Sequence, residues 1–383
     1  MANNNNNKVL NVPNLRFPEF TGEWRKCKLG EIASGFDYGM NSAAKSYDGK
    51  NKYIRITDID ASSASYSNNY IVSPDGKLQN NYLVNKNDIL LARTGASTGK
   101  SYLYESNDGR LYFAGFLIRI NIPKENPYFI FTQFHTSNYK KWVSIMSARS
   151  GQPGINSQEY SSYLIYVTGK QEQDKISSLL SLLDERIAAQ NKIIEDLKKL
   201  KSAIYQFVFD NEIGPFLPLE SIANIVKGQQ VNGECLSESG DYYVMNGGIE
   251  PSGYYSYCNT EANTISISEG GNSCGYVQYN DVLFWSGGHC YTLQNLSTQI
   301  EEKYLFHYLK HKESTIMKLR IGTGLPNIQK KDLAKFNVLI PSTERQIALY
   351  KVFNSVDAKL SIENKLQKSF ESQKSYLLQQ MFI

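Results

Sequence analysis

Gly151-Gln152-Pro153-Gly154-Ile155-Asn156 and Gly324-Leu325-Pro326-Asn327-Ile328-Gln329 are two versions of one junction, displaced by 173 residues. The same displacement holds without a gap to the end of the chain. It pairs Ile155 with Ile328, Gln173 with Gln346, Asp184 with Asp357, Asn191 with Asn364, Lys192 with Lys365, Lys201 with Lys374, Gln206 with Gln379 and Phe209 with Phe382. Upstream, a displacement of 190 pairs Leu29 with Leu219, Ile32-Ala33 with Ile222-Ala223, Tyr53 with Tyr243 and Ile59 with Ile249. Self-similarity of this kind fixes the architecture before any motif does. The chain is a tandem duplication, and its first copy is longer by the 17 residues that separate the two displacements. The extra length falls in the polar part of the copy, so a variable domain is mounted on a constant segment.

That constant segment has a heptad register. Ile176, Leu183, Gln190, Leu197 and Ile204 recur every seventh residue, interleaved with Leu180, Ile187, Ile194, Lys201 and Val208. The second copy runs Leu349, Val356, Glu363, Phe370 and Leu377 with Phe353, Leu360, Gln367, Lys374 and Met381. Apolar stripes of this period form coiled-coil seams, and polar residues interrupt both at equivalent places. Two stripes in one chain bury each other best as an antiparallel pair, with Lys201 expected to face Glu363 and Gln190 to face Lys374. A helix from Gln173 to Phe209 spans on the order of 55 Å, more than one turn of a DNA duplex. The expected fold is α+β: two mixed, β-rich domains in tandem, each followed by a long helix, the helices forming an antiparallel coiled coil with pseudo-twofold symmetry. The expected limits are a disordered tail over 1–11, domains over 12–170 and 211–342, and helices over 171–210 and 343–383.

Composition narrows the function classes. At 383 residues the chain suits two or three domains, and no apolar run approaches the roughly 20 residues of a bilayer span. Residues Met1 to Asn7, with five consecutive asparagines, lack the basic end and apolar core of a signal peptide. Cys27, Cys235, Cys258, Cys274 and Cys290 make an odd count without a Cys-x-x-Cys pair, which supports neither a disulfide framework nor a zinc ribbon. A reducing, cytoplasmic setting is expected. Net charge of +4 permits nucleic-acid binding without indicating it, because a balanced total can hide a basic face. Twenty-seven tyrosines with abundant Asn, Ser and Gly favour β-rich, hydrogen-bonding surfaces.

Several motifs suggest chemistry and fall short of it. Gly95-Ala96-Ser97-Thr98-Gly99-Lys100-Ser101 has three residues between its glycines where a phosphate loop needs four, and the second copy, Gly271-Asn272-Ser273-Cys274-Gly275, is followed by Tyr276 instead of lysine. Both stretches match Gly-x-Ser-x-Gly, the turn that presents a hydrolase serine. That chemistry requires a histidine base, and His135, His289, His307 and His311 stand in no recognisable context. A glycine turn between strands, Asp88 to Ala92 before and Lys100 to Tyr104 after, is the expected geometry, and its hydroxyls and N–H groups suit phosphates or base edges. His307 and His311 are four apart on an expected helix but lack a following Glu and a third metal ligand, so a solvated face is expected. Asn126-Pro127-Tyr128-Phe129 lacks the second proline of an adenine methyltransferase loop.

Five stretches in this order resemble the specificity subunits of type I restriction-modification enzymes: Val12-Pro13-Asn14-Leu15-Arg16-Phe17-Pro18-Glu19-Phe20 with Trp24 and Lys28-Leu29-Gly30; Asp88-Ile89-Leu90-Leu91-Ala92-Arg93-Thr94-Gly95; Gly151-Gln152-Pro153 with Ile155, ahead of Glu172-Gln173-Asp174-Lys175-Ile176; Phe284-Trp285 through His289-Cys290-Tyr291; and Gly324-Leu325-Pro326-Asn327-Ile328, leading through Pro341 to Glu344-Arg345-Gln346. The last departs from the family pattern, because Arg345 splits its Glu-Gln pair. The resemblance implies that each polar domain is a target recognition domain reading one half of a bipartite, asymmetric DNA target, and that the helices fix the unread gap. It implies two methyltransferase subunits and two motor-nuclease subunits as partners, with S-adenosylmethionine, ATP and magnesium in those partners and no cofactor, metal or catalytic residue in this chain.

Polar residues close to an expected turn or junction are the candidate DNA contacts. In the first domain these are Arg55, Arg93, Thr94, Ser97, Thr98, Lys100, Arg149 and Gln152. In the second they are Lys227, Gln229, Asn246, Asn272, Ser273, Ser286, His289 and Arg320. Two other readings compete: a two-domain adaptor that binds protein or glycan, and a hydrolase using Ser97 or Ser273.

Overall fold

The computed structural model describes residues 10–383 except Ser62, Arg149, Ser150, Thr323 and Leu325. Most of the expected tail, and the candidate contact Arg149, therefore lie outside the described residues. The chain forms two compact units, one of residues 1–191 with 365–383 and the other of residues 192–364.

In the first unit the central sheet is antiparallel, ordered Ser34–Tyr38, Leu117–Asn121, Asp88–Ala92, Ser101–Leu103. The run Ile89-Leu90-Leu91-Ala92 is buried on both faces, and strand alternation divides it between two cores. Ile89 and Leu91, with Ile118 and Ile120, pack beside Phe129, Ile176, Leu180 and the chain's final turn, Leu378, Met381 and Phe382. Leu90, Ala92 and Leu117 meet Ile54, Leu111 and Phe113 on the other face. Phe382 contacts Trp24 and Phe129 with ring centroids 6.0 and 5.4 Å away. The strand Arg25–Lys28 pairs antiparallel with Leu164–Val167, and Lys52–Ile54 pairs parallel with Leu111–Phe113.

In the second unit the strands Asn224–Lys227, Cys290–Gln294, Thr264–Ser268 and Val277–Asn280 repeat the same order and sense. Phe216–Pro218 pairs antiparallel with Asn337–Leu339, and Tyr242–Met245 pairs parallel with Trp285–Ser286. Ile265 and Ile267 enter a core with Tyr304, Leu305, Tyr205, Phe209, Leu349 and Phe353. The opposite face of that strand is hydroxylic and hydrogen-bonded. Asn280 donates from Nδ2 to the Thr264 carbonyl at 2.8 Å and to Ser266 Oγ at 3.0 Å, and Ser268 Oγ donates to the Gly247 carbonyl at 2.7 Å.

The long helices are Lys170–Asn211 and Thr343–Gln380. In the first unit Lys374 forms an ion pair with Asp184, and the Arg186 guanidinium lies 4.4 Å from the Phe370 ring centroid. In the second, Lys201 pairs with Asp357 and Tyr205 packs on Phe353 at 4.2 Å. Within each unit, a rising number on one helix meets a falling number on the other. The two ion pairs join residues matched by the repeat, Lys201 with Lys374 and Asp184 with Asp357. These partners differ from the facings read from the heptads, which set Lys201 against Glu363 and Lys374 against Gln190: the ion pairs run from Lys201 to Asp357 and from Lys374 to Asp184. Glu363 pairs with Lys359 one turn back. Periodicity places a residue on a face but leaves axial register open, and a long lysine swings to a carboxylate at the seam's edge.

His307 is a second correction. It lies in the helix Glu302–His311 but is buried, not on a solvated face. Its Nδ1 meets the Tyr205 hydroxyl at 2.6 Å and its Nε2 meets Asn354 Oδ1 at 2.8 Å, and His311 stacks on Phe209. Burial lowers the pKa of His307, against the opposing pull of Asn354 and Asp357. Among the described residues no helix is long and apolar enough to cross a membrane.

Candidate nucleic-acid interface

Each sheet delivers its central strand to the same glycine turn. In the first unit Asp88–Ala92 leads through Arg93 to the turn Gly95–Ser97 and on to Ser101–Leu103. Gly95 and Gly99 adopt φ of +71° and +89°, and a Cβ on Gly99 would stand 2.6 Å from Val143 Cγ1. Only glycine meets both demands. The Gly95 N–H donates to the Pro153 carbonyl at 2.9 Å, and the Ile155 N–H donates to the Arg93 carbonyl at 2.9 Å, so the Gly-Gln-Pro-Gly-Ile stretch clasps the turn.

The second unit repeats this atom for atom. Gly271 and Gly275 have φ of +77° and +91°. The Gly271 N–H donates to the Pro326 carbonyl at 3.0 Å, and the Ile328 N–H donates to the Glu269 carbonyl at 2.8 Å. The turn joins strand to strand in both units, unlike the strand-to-helix elbow of a hydrolase. In the first unit the His135 imidazole meets Ser101 Oγ at 3.2 Å, a serine outside the Gly-x-Ser-x-Gly triad of positions. The repeated motif is therefore a structural clasp with polar side chains at its rim.

Six candidates of the first domain gather at that rim. The Arg93 guanidinium lies 4.8 Å from the Tyr38 ring centroid and donates to the Gly115 carbonyl at 3.3 Å. Thr94 bridges Gly154, and Ser97 and Thr98 form the turn, the Thr98 hydroxyl donating to the Gly95 carbonyl at 2.7 Å. Lys100 reaches the Ile59 carbonyl at 3.3 Å, and the Gln152 amide stands 3.1 Å from where a Cβ on Gly95 would lie. Arg55 is committed elsewhere. Its Nε and Nη2 grip Asp58 at 2.8 and 2.7 Å, and that bond raises its pKa. It braces the loop that Lys100 ties to the turn.

In the second domain two candidates, Lys227 and His289, meet at a residue that sequence reasoning missed. Glu269, 7% exposed, accepts from Lys227 Nζ at 2.6 Å and from the Tyr291 hydroxyl at 3.1 Å, both on Oε1. His289 Nδ1 stands 3.6 Å from its Oε2. Asn246 Oδ1 accepts from the His289 N–H at 3.2 Å. The Gln229 N–H donates to the Ser286 carbonyl at 2.8 Å, and the Gln229 carbonyl accepts from Trp285 Nε1 at 2.8 Å. Ser286 itself is buried, so its hydroxyl lies beneath the rim. Asn272 is exposed and Ser273 half-buried on the turn, while Arg320 is exposed just past the helix Glu313–Met317 that packs on Gly275. The signal for Glu269 was present. The 176-residue displacement that aligns the two turns puts it opposite Arg93, but a carboxylate does not suggest a DNA-facing surface. No group of three or more His, Cys, Asp and Glu side chains among the described residues is placed to hold a metal ion.

Comparison with known proteins agrees with this two-unit layout. A protein of Mycoplasma pneumoniae named as a type I specificity subunit is 35% identical over 150 residues, which cover 39% of this chain and 40% of that protein. The chain thus spans about two-fifths of that relative's length. A protein of Methanocaldococcus jannaschii named as a type I restriction enzyme specificity subunit is 22% identical over 331 residues, 76% of each chain. The fold is similar to the crystal structure of the S subunit of a type I restriction-modification system from Mycoplasma genitalium, with a TM-score of 0.68 over 97% of this chain and 99% of that one at 19% identity. The family model described as the type I restriction modification DNA specificity domain matches twice, over residues 21–199 and 216–372, each match taking in one domain and most of its helix. The chain therefore belongs to the type I restriction-modification DNA specificity family, with two copies of the family's domain in tandem.

Proposed function

We propose that the chain is the sequence-specific DNA-binding subunit of a type I restriction-modification complex and carries out no catalysis itself. One observation carries the reading: the same glycine clasp presents a different set of polar side chains in each domain, as two readers of two different half-sites require. Sequence is read by donors and acceptors aimed at base edges, while phosphate contacts fix register. The domains, over 12–170 and 211–342, each read one half of a bipartite asymmetric target. The helices, over 171–210 and 343–383, pair as an antiparallel coiled coil with pseudo-twofold symmetry, set the spacer between half-sites and dock two methyltransferase subunits. Two restriction subunits complete the assembly, which works in the cytoplasm. S-adenosylmethionine, ATP and magnesium belong to those partners, and the adenine to be methylated is extruded by the methyltransferase while this chain grips flanking DNA.

Selection from random duplex DNA by the purified complex with its methyltransferase tests the reading. A two-part consensus is expected, preferred over unrelated sequence by at least about a thousandfold and weakened by salt. Inserting one heptad at equivalent points of both helices should lengthen the preferred gap and leave both half-sites unchanged. A complex that selects no sequence overturns the reading.

A further inference from the structure

The residue that enters the clasped turn is cationic in one domain and anionic in the other. Arg93 and Glu269 each give their carbonyl to the isoleucine of the Pro-containing junction, at 2.9 and 2.8 Å, and each precedes a glycine with φ near +75° by two residues. The backbone is the same, and hydrogen-bonding polarity is reversed. Arg93 can only donate, and an ionised Glu269 can only accept.

Glu269 is also incompletely satisfied. Lys227 and Tyr291 both fix Oε1, whereas Oε2 is buried and has no hydrogen-bond partner among the described residues. His289 Nδ1, at 3.6 Å, stands beyond a good hydrogen bond. A buried carboxylate oxygen without a donor is costly, which marks Oε2 as an acceptor held in place for a donor that arrives from outside. The exposed side of the cluster is His289, 63% exposed, with Lys227 at 51%. Both belong to the candidate DNA-facing rim.

We propose that the position entering the turn is the base-reading position of each domain: Arg93 donates to a guanine in the first half-site, and Glu269 accepts from an exocyclic amino group, cytosine N4 or adenine N6, in the second. The inference rests on the DNA-recognition reading above. Guanine offers O6 and N7 as acceptors in the major groove, and cytosine and adenine offer amino donors there, so the two side chains select opposite base chemistries. Lys227 neutralises one oxygen of Glu269 and leaves the other for the base, which reaches it as the exposed His289 ring turns aside.

The test is selection from random duplex DNA by the complete complex carrying Glu269→Gln or Arg93→Gln. Glu269→Gln should cut discrimination at one base pair of the second half-site on the order of tenfold, and the wild-type base there identifies the donor as cytosine or adenine. The first half-site, read by the same molecule, should be unchanged and serves as the control for folding. Arg93→Gln should remove a guanine from the first half-site alone. If the wild-type complex selects a target and both variants keep its consensus, or lose affinity equally for all sequences, this inference fails and the DNA-recognition reading stands. If His289→Ala changes the preferred base and Glu269→Gln does not, the imidazole is the reader and the inference fails. A wild-type complex that selects nothing overturns both.

Discussion

The central strands of the two domains agree on one face and disagree on the other. Ile89 and Leu91 in the first, like Ile265 and Ile267 in the second, pack into the core that the long helices complete. On the reverse face Leu90 and Ala92 help form a further apolar core, whereas Ser266 and Ser268, at the matched positions, are hydrogen-bonded to Asn280 and the Gly247 carbonyl. One face is bound to a constant partner, so its residue types are constrained. The other supports loops that differ between the copies, so its chemistry can change without loss of the sheet. The same contrast recurs at the turn, where the glycines persist and Arg93 gives way to Glu269.

The constant side can be broken most severely. Phe382 lies in the first unit's core against Trp24, and Phe209 lies in the second's against Tyr308 at 5.3 Å. Phe382→Ala is expected to cost the first unit about 3–5 kcal/mol and Phe209→Ala to cost the second about the same. Hydrogen exchange resolved by peptide should report each loss in a different domain. Equal loss of protection in both domains from either substitution would refute the assignment of one phenylalanine to each core.

The clasp offers a finer comparison. A Cβ on Gly99 meets the Val143 side chain at 2.6 Å, whereas a Cβ on Gly275 meets Met317 Cα at 2.9 Å and its backbone N at 3.0 Å. A side chain can turn away more readily than backbone can shift. Both glycines sit at positive φ, so Gly→Ala should destabilise both by about 1–2 kcal/mol, with roughly 1 kcal/mol more at Gly275. Urea unfolding midpoints of the two variants check the ordering.

The smallest effect separates the histidines. Burial lowers the pKa of His135 to about 4, with Lys374 and Lys140 adding to the shift and Asp184 opposing it. An unfolded histidine titrates near about 6.5, so between these values the unfolded chain binds more protons. Stability from this group is complete above pH 6.5 and is lost as pH falls toward 4, at up to about 1.4 kcal/mol per pH unit. His135→Gln should flatten that slope in the first unit. His307 has hydrogen bonds at both ring nitrogens and Asn354 favouring its charged form, so His307→Gln should change the acid slope less. An unchanged slope in His135→Gln would show that other groups govern acid sensitivity.

Much of this was legible in the sequence because the duplication supplies its own control. The repeat located matched helices at a displacement of 173 and the matched turn with its flanking strands at a displacement of 176, and the turn reading was right because three residues between glycines fit a strand connection better than a phosphate loop. The facing of Lys201 was misread, because heptads carry no axial information. His307 was misread because a polar residue on a helix is ordinarily solvated, and only the fold brings Tyr205 and Asn354 to its two nitrogens. Glu269 went unnoticed because its meaning lies in Lys227, Tyr291 and His289, which are remote in sequence.

The sequence alone determined that the chain has two domains of one design, each followed by a matched long helix, because the repeat holds one displacement without a gap from the Pro153 and Pro326 junctions through the helices. Tertiary structure alone decided which side chains share a site. It closed the glycine turn onto a proline-containing segment more than fifty residues away, seated the last turn of the chain against Trp24, and left one oxygen of Glu269 without a donor among the described residues. Local propensity acts over a few residues, whereas packing and hydrogen-bond satisfaction are settled between segments that only folding brings together.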